Sequence, residues 1–176
     1  MADVRMIRIG WGVRMRPMTE NELFDSFVNA TDDELRVAAA PHDFPLVEWD
    51  HTDFLAWPDP HARGRGYIAA EVDGAVAAIV LRRAQGGSGV HPSFCNLCRT
   101  MQPGNQVALF TARKAGDEGR HGNSVGTYIC SDMSCHENVR LAMPLAPNEY
   151  RASVDMKIDN TARRVRNFVA QIVRNE

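Results

Sequence analysis

The 176-residue sequence predicts an α+β fold, and three observations predict it. Two helix-start signals stand close together near the N-terminus, at Thr19 and Thr31. Two apolar runs are each folded back on themselves, one at Asp73–Gly74 and one at the glycine-rich stretch 116–124. A single apolar stripe then runs through residues 159–176.

The elements follow in order. Thr19 with Glu22 has the spacing of a capping box, and Leu23, Phe24, Phe27 and Val28 fall on one helical face, so a helix is expected over 18–30. Thr31 precedes three acids and opens a second short helix over 31–40, stopped by Pro41. Residues 41–66 are rich in proline, aromatics and histidine without a clean period. They read as an ordered connector with one helical turn near 50–56, plugged onto the core by Trp49, Phe54, Leu55 and Trp57. Asp73–Gly74 between two apolar runs marks a β-hairpin over 67–84. A Gly/Ser loop (85–93) leads to strands over 106–115 and 125–130, with a glycine-rich tip between them. A helix is expected over 131–143, ended by Pro144. The last helix, over 159–176, carries Ala162, Val165, Phe168, Val169, Ile172 and Val173 on one face.

Composition narrows the function. A net charge of −2 and a pI near 6.3 give no global attraction to nucleic acid or membrane. No apolar run approaches the roughly 20 residues that span a bilayer. Residues 1–17 hold arginines at 5, 8, 14 and 16 but no signal-peptide h-region, and read as a mobile leader, with Met18 as the effective start. The expected compartment is therefore a reducing cytoplasm, where paired cysteines serve as metal ligands or redox groups more often than as disulfides.

All four cysteines stand in two pairs, C-x2-C-x31-C-x4-C: Cys95, Cys98, Cys130 and Cys135. Four thiolates suit one tetrahedral, structural Zn²⁺ with no open position for catalysis. The first pair sits in a knuckle-like turn. The second pair straddles a strand end and a helix start, where the helix dipole favours a thiolate. Knuckle, hairpin and ligand-bearing helix is the arrangement of a treble-clef zinc finger. Two redox pairs and four unrelated buried thiols are the alternatives; neither C-x4-C nor the place of C-x2-C suits a thioredoxin-type site. A His-Asn-His nuclease reading has His121 and His136 to draw on, but His121 lies in a glycine-rich tip and no Asp-His pair accompanies it. These residues read instead as a solvated loop histidine and a surface helix histidine. Phosphate-loop, dinucleotide-loop and nucleophile-elbow motifs are absent from the sequence. The chain is thus expected to have no enzymatic activity.

"FCNLC", the x31 gap, "YICSDMSCHENVR" and the upstream "DFLAWPDPHARGRGYIA" together resemble the FBP family, an actinobacterial group related to FusB-type elongation factor G-binding proteins. The resemblance covers roughly residues 18–175. It implies a helical N-terminal part (18–66, with the connector) and a treble-clef zinc-finger domain (67–176) with Cys95, Cys98, Cys130 and Cys135 as zinc ligands. It also implies an adaptor that binds elongation factor G, promotes its release from stalled ribosomes and can protect translation from fusidic acid. The residues themselves suggest where that partner would bind: the knuckle and hairpin would set apolar anchors beside cations, at Phe94, Leu97, Phe110, Arg113, Lys114, Arg120, His121 and Tyr128. The competing expectation is direct contact with ribosomal RNA through Arg113, Lys114 and Arg120 on the hairpin and Arg163, Arg164 and Arg166 on the last helix.

Overall fold

A computed structural model describes residues 14–86, 93–141 and 154–174. Most of the leader (1–13), most of the Gly/Ser loop, and Pro144 with the expected end of the fourth helix lie outside the described residues.

The mixed helix and strand content is as expected, and it is organised around one antiparallel sheet. Its strands are β1 (Leu55–Pro58), β2 (Arg65–Val72), β3 (Ala75–Arg83), β6 (Val107–Arg113) and β7 (Ser124–Cys130), in the spatial order β1-β2-β3-β6-β7. A two-stranded ribbon of β4 (Ser93–Phe94) and β5 (Met101–Gln102) stands apart from it. The β2–β3 turn forms because Asp73 and Gly74 both take positive φ, 51° and 84°, which matches the twist of the flanking strands. In β6–β7 the register runs from Val107↔Cys130 to Arg113↔Ser124, so the third cysteine ends the hairpin beside the start of its partner strand.

Strand alternation makes the sheet a wall between two cores. One face carries Ile68, Ala70, Ile79, Leu81 and Phe110, packed with the cysteines and the long helix α5 (Val154–Val173). On α5 the buried set Ala162, Val165, Phe168, Val169 and Ile172 reproduces the predicted stripe. Truncating Phe168 to alanine is expected to cost about 3–5 kcal/mol, the usual range for a buried aromatic. The other face carries Trp57, Tyr67, Ala69, Ala78 and Val80, covered by Leu23 and Phe44 from the N-terminal part.

That N-terminal part starts with α1 (Glu20–Asp25) and α2 (Asp32–Val37), and a capping box forms at each of the two expected helix starts, Thr19 with Glu22 and Thr31 with Glu34. Helix α1 is shorter than expected. At Ser26 the chain leaves the helix and bridges β3 alongside Ala78, with Val28 N–H to Ala78 O at 2.9 Å and Ala78 N–H to Ser26 O at 2.9 Å. The Asn29 side chain continues this edge: it accepts from Val80 N–H (2.8 Å) and donates to Val80 O (3.1 Å) and Arg113 O (2.9 Å). An amide side chain thus pairs with β3 where β6, which meets it only at Arg82 and Arg83, does not reach.

Three further expectations are corrected. The helical turn near 50–56 is a 3-10 turn at Trp49–His51 followed by β1, an edge strand where Pro58 is tolerated because it owes no hydrogen bond outward. Through β1 the connector belongs to the main sheet, and the expected divide at 66/67 falls inside β2. Met15, read as leader, is buried, and its N–H donates to Thr52 O at 2.9 Å. The packed chain therefore includes residues before Met18.

Candidate metal centre and its surroundings

The β4–β5 ribbon holds the knuckle. Its turn closes through Cys95 N–H to Thr100 O (3.1 Å) and Arg99 N–H to Cys95 O (3.0 Å), with Arg99 at positive φ. The knuckle is fastened to the sheet edge by Asn96 N–H to Tyr128 O (2.8 Å) and Asn96 Nδ2 to Thr127 Oγ1 (3.3 Å). It is fastened to α5 by Arg164 Nε, which donates to Leu97 O at 2.5 Å. After Cys130, Asp132 Oδ1 accepts from Ser134 N–H and Met133 takes a φ of 62°. A left-handed residue cannot continue a helix. The expected helix over 131–143 is therefore the single turn α4 (Cys135–Asn138), and it opens on the fourth cysteine.

The result is four buried sulfurs that all lie within 4.8 Å of one another. Cys95 and Cys135 Sγ are 3.6 Å apart, and Cys98 and Cys130 Sγ are 3.7 Å apart. A disulfide requires about 2.05 Å. A tetrahedron of sulfurs about 2.3 Å from a zinc has edges of about 3.8 Å. The spacing therefore fits a tetrahedral metal, and all four cysteines are free of disulfide bonds. The donor set is all sulfur, which selects a soft or borderline ion, and it is closed. The cofactor is one structural Zn²⁺.

Crowding makes the thiols titrate as a set. Hydrogen bonds from Cys130 first, and then Cys135, pull the Cys95 and Cys98 thiols below their ordinary value, while the bond with Cys130 pushes Cys135 up. A bound divalent ion holds coordinating thiols deprotonated. Second contacts support the sulfurs: Asn138 Nδ2 lies 3.4 Å from Cys130 Sγ, and Thr100 Oγ1 lies 3.0 Å from Cys98 Sγ. The sequence offered no signal for either, since both depend on the turn geometry. Among the described residues the four cysteines are the one group of three or more His, Cys, Asp and Glu able to hold a metal.

His136, read as a surface residue, is half-buried. Its ring packs edge-on against Phe54, with centroids 5.8 Å apart, and its buried Nε2 has no hydrogen-bond partner among the described residues. Burial, and then the charge of Arg140, lower its pKa.

The expected partner residues divide. Leu97 and Phe110 are 4% and 1% exposed, so they are core residues and present nothing to a partner. The hairpin cations are engaged. Arg113 reaches Glu34 at 2.5 Å, Lys114 lies 3.9 Å from Glu118, and Arg120 pairs with Asp117. The physical reason is a short helix, α3 (Gly116–Arg120), within the tip, which sets Asp117 and Glu118 one turn from their cations. Glu34 itself is buried and binds Arg82 as well as Arg113. Burial raises the Glu34 pKa, but the Thr31 N–H, the Arg82 guanidinium and the Arg113 charge outweigh it, and the net shift is downward. On the last helix, Arg163 donates to Asn160 and Arg164 braces the knuckle. His121 is exposed at the end of α3.

What remains outward is concentrated at the junction of knuckle and β7. Phe94, Met101 and Tyr128 are 43%, 53% and 53% exposed. Phe94 and Met101 are cross-strand partners, Tyr128 receives the Asn96 N–H, and the Arg99 guanidinium stands 5.9 Å from the Phe94 ring centroid. Arg99 and Met101 escaped the sequence reading because a two-residue ribbon leaves no periodicity.

No curated protein and no solved structure matches the chain. A family model does match, over residues 22–172, spanning both cores and the whole cysteine site. With that match and the four-sulfur geometry, the chain belongs to the FBP C-terminal treble-clef zinc-finger family.

Proposed function

We propose that the protein is a non-enzymatic, zinc-stabilised adaptor that binds elongation factor G in the cytoplasm and modulates its release from the ribosome, in the manner of fusidic-acid-protection proteins. The zinc holds a surface in place and performs no chemistry. The observation that carries the reading is the exposed cluster of Phe94, Met101 and Tyr128 with Arg99 beside it, mounted on the knuckle. Aromatic and arginine side chains dominate interface energetics, and an anchored turn presents them with little ordering entropy to lose. Ribosomal RNA contact through the hairpin cations is not favoured, because Arg113, Lys114 and Arg120 each have an acidic partner.

Calorimetric titration against the same organism's factor tests the proposal. Wild-type protein is expected to bind. Phe94→Ala and Tyr128→Ala are each expected to weaken binding by about 30-fold, the effect of a central anchor, with zinc content and melting temperature unchanged. Absence of binding at high micromolar concentration would sink the reading. Variants that bind like wild type would place the interface elsewhere.

A further inference from the structure

A second surface lies at the far end of β3, away from the knuckle. It is a cavity of about 900 Å³ lined by Arg63, Gly64, Arg65, Arg82, Arg83 and Gln85, with only glycine and alanine besides. The loop before β2 is built to bring its arginines there. Asp59, whose side chain is fully buried, accepts from the His61 and Ala62 N–H groups, from Arg65 Nε at 2.5 Å and from the Tyr67 hydroxyl. Gly64 takes a φ of +79°, which a side chain would resist, and its carbonyl accepts from Arg83 N–H at 2.7 Å. Arg63 and Arg83 are thereby set against one another across a fixed backbone junction.

The charge is not balanced. Arg65 is matched by Asp59. Arg82 has only a share in Glu34, which also serves Arg113. Arg63 and Arg83 are exposed and make no ion pair or side-chain hydrogen bond with any of the described residues. A chain of net charge −2 thus concentrates uncompensated guanidinium groups in one groove. The lining also identifies the ligand. It offers arginine forks, a glutamine amide and glycine backbone, but no large apolar or aromatic side chain. The buried centre of a protein interface is more apolar than this lining, and a small-molecule site is lined predominantly by apolar and aromatic side chains. Arginine forks that match phosphate oxygens two at a time fit a phosphodiester backbone.

We propose that this groove binds the sugar-phosphate backbone of RNA, without base readout, through Arg63 and Arg83 with Arg82 and Gln85 alongside. The site is independent of the factor-binding surface and does not rest on it. Fluorescence anisotropy with a labelled oligouridylate, at 50 and 200 mM salt, tests it on the full-length zinc-loaded protein. Wild-type protein binds, and its affinity falls with salt. In Arg63→Gln/Arg83→Gln two phosphate contacts are lost. The slope of log affinity against log salt is then shallower by about 1.4, so the loss between the two salts shrinks by about sevenfold. Zinc content, melting temperature and affinity for elongation factor G stay at wild-type values. Arg63→Gln alone gives half the change in slope and guards against misfolding of the double variant. An unchanged slope overturns the proposal. So does a wild-type protein that ignores the oligouridylate, whether or not it binds polyglutamate; if it does bind polyglutamate, the groove is a seat for an acidic protein.

Discussion

Replacing Asn29 by alanine is expected to damage the fold out of proportion to the size of the side chain. Three hydrogen bonds end on it, at 2.8, 2.9 and 3.1 Å, and all three partners are backbone groups: Val80 N–H, Val80 O and Arg113 O. Val80 lies in β3, covered on both sides, so water cannot replace the amide there. At about 1 kcal/mol per bond, and more for a stranded buried N–H, the loss is about 3–4 kcal/mol. For a chain of this length each kcal/mol lowers the melting temperature by about 2–4 °C, so the midpoint should drop by roughly 6–16 °C. Urea unfolding with zinc present should show the same loss as a shifted midpoint with an unchanged m-value. Asn29→Asp sharpens the test. It keeps an acceptor for Val80 N–H but turns a carboxylate towards two carbonyl oxygens, so its deficit should narrow as the pH falls and the carboxyl takes up a proton. A loss below about 1 kcal/mol in Asn29→Ala would refute the idea that a side chain does the work of a strand here.

Removing the zinc with a strong chelator should unfold the cysteine side of the molecule, since structural zinc contributes about 10–16 kcal/mol in small domains; elemental analysis should find one zinc per chain, and Cys135→Ser should lose it. Glu34 and Asp59 both have lowered pKa values, outweighing burial that raises them. Each therefore contributes stability above its unfolded pKa that is lost as pH falls through its lower folded value, and Glu34→Gln should flatten the acid limb of stability against pH. Arg113→Ala should lower stability by about 1 kcal/mol or less, because the Arg113 end of the pair is exposed and Arg82 still holds the Glu34 carboxylate, and should leave factor binding intact. A chain beginning at Met18 should melt several degrees below wild type, because Met15 is buried; an unchanged melting temperature would return Met15 to the leader.

The parts legible in the sequence were those encoded by short-range rules. Thr19–Glu22 and Thr31–Glu34 announced their helices because a capping box is complete within four residues. Asp73–Gly74 announced a turn whose φ angles few other residues accept. The α5 stripe and the cysteine spacing were equally local. What stayed hidden depended on distance. Nothing near Asn29 foretells that it completes β3, 51 residues later. Arg113 and Lys114 looked like a cationic hairpin until Glu34 and Glu118 closed on them. Phe110 alternated as a strand residue should, but which side of the sheet α5 covers cannot be read from β6 alone.

The bonds from Asn96 to β7 have a consequence for how the protein fails. β7 is an edge strand, and its outer backbone groups would welcome a strand from another molecule. The knuckle occupies that position at Tyr128, and the knuckle keeps its shape only while its sulfurs are held together. Metal starvation therefore does more than loosen a core, because it unlatches a guard. Light scattering of chelated protein should rise with time and concentration, and should be suppressed by returning zinc before association sets in. A flat trace would show that the edge is protected by something other than the knuckle. In a cell, a protein so arranged would carry its own marker of metal status, with its edge guarded when loaded and prone to edge-to-edge association when not.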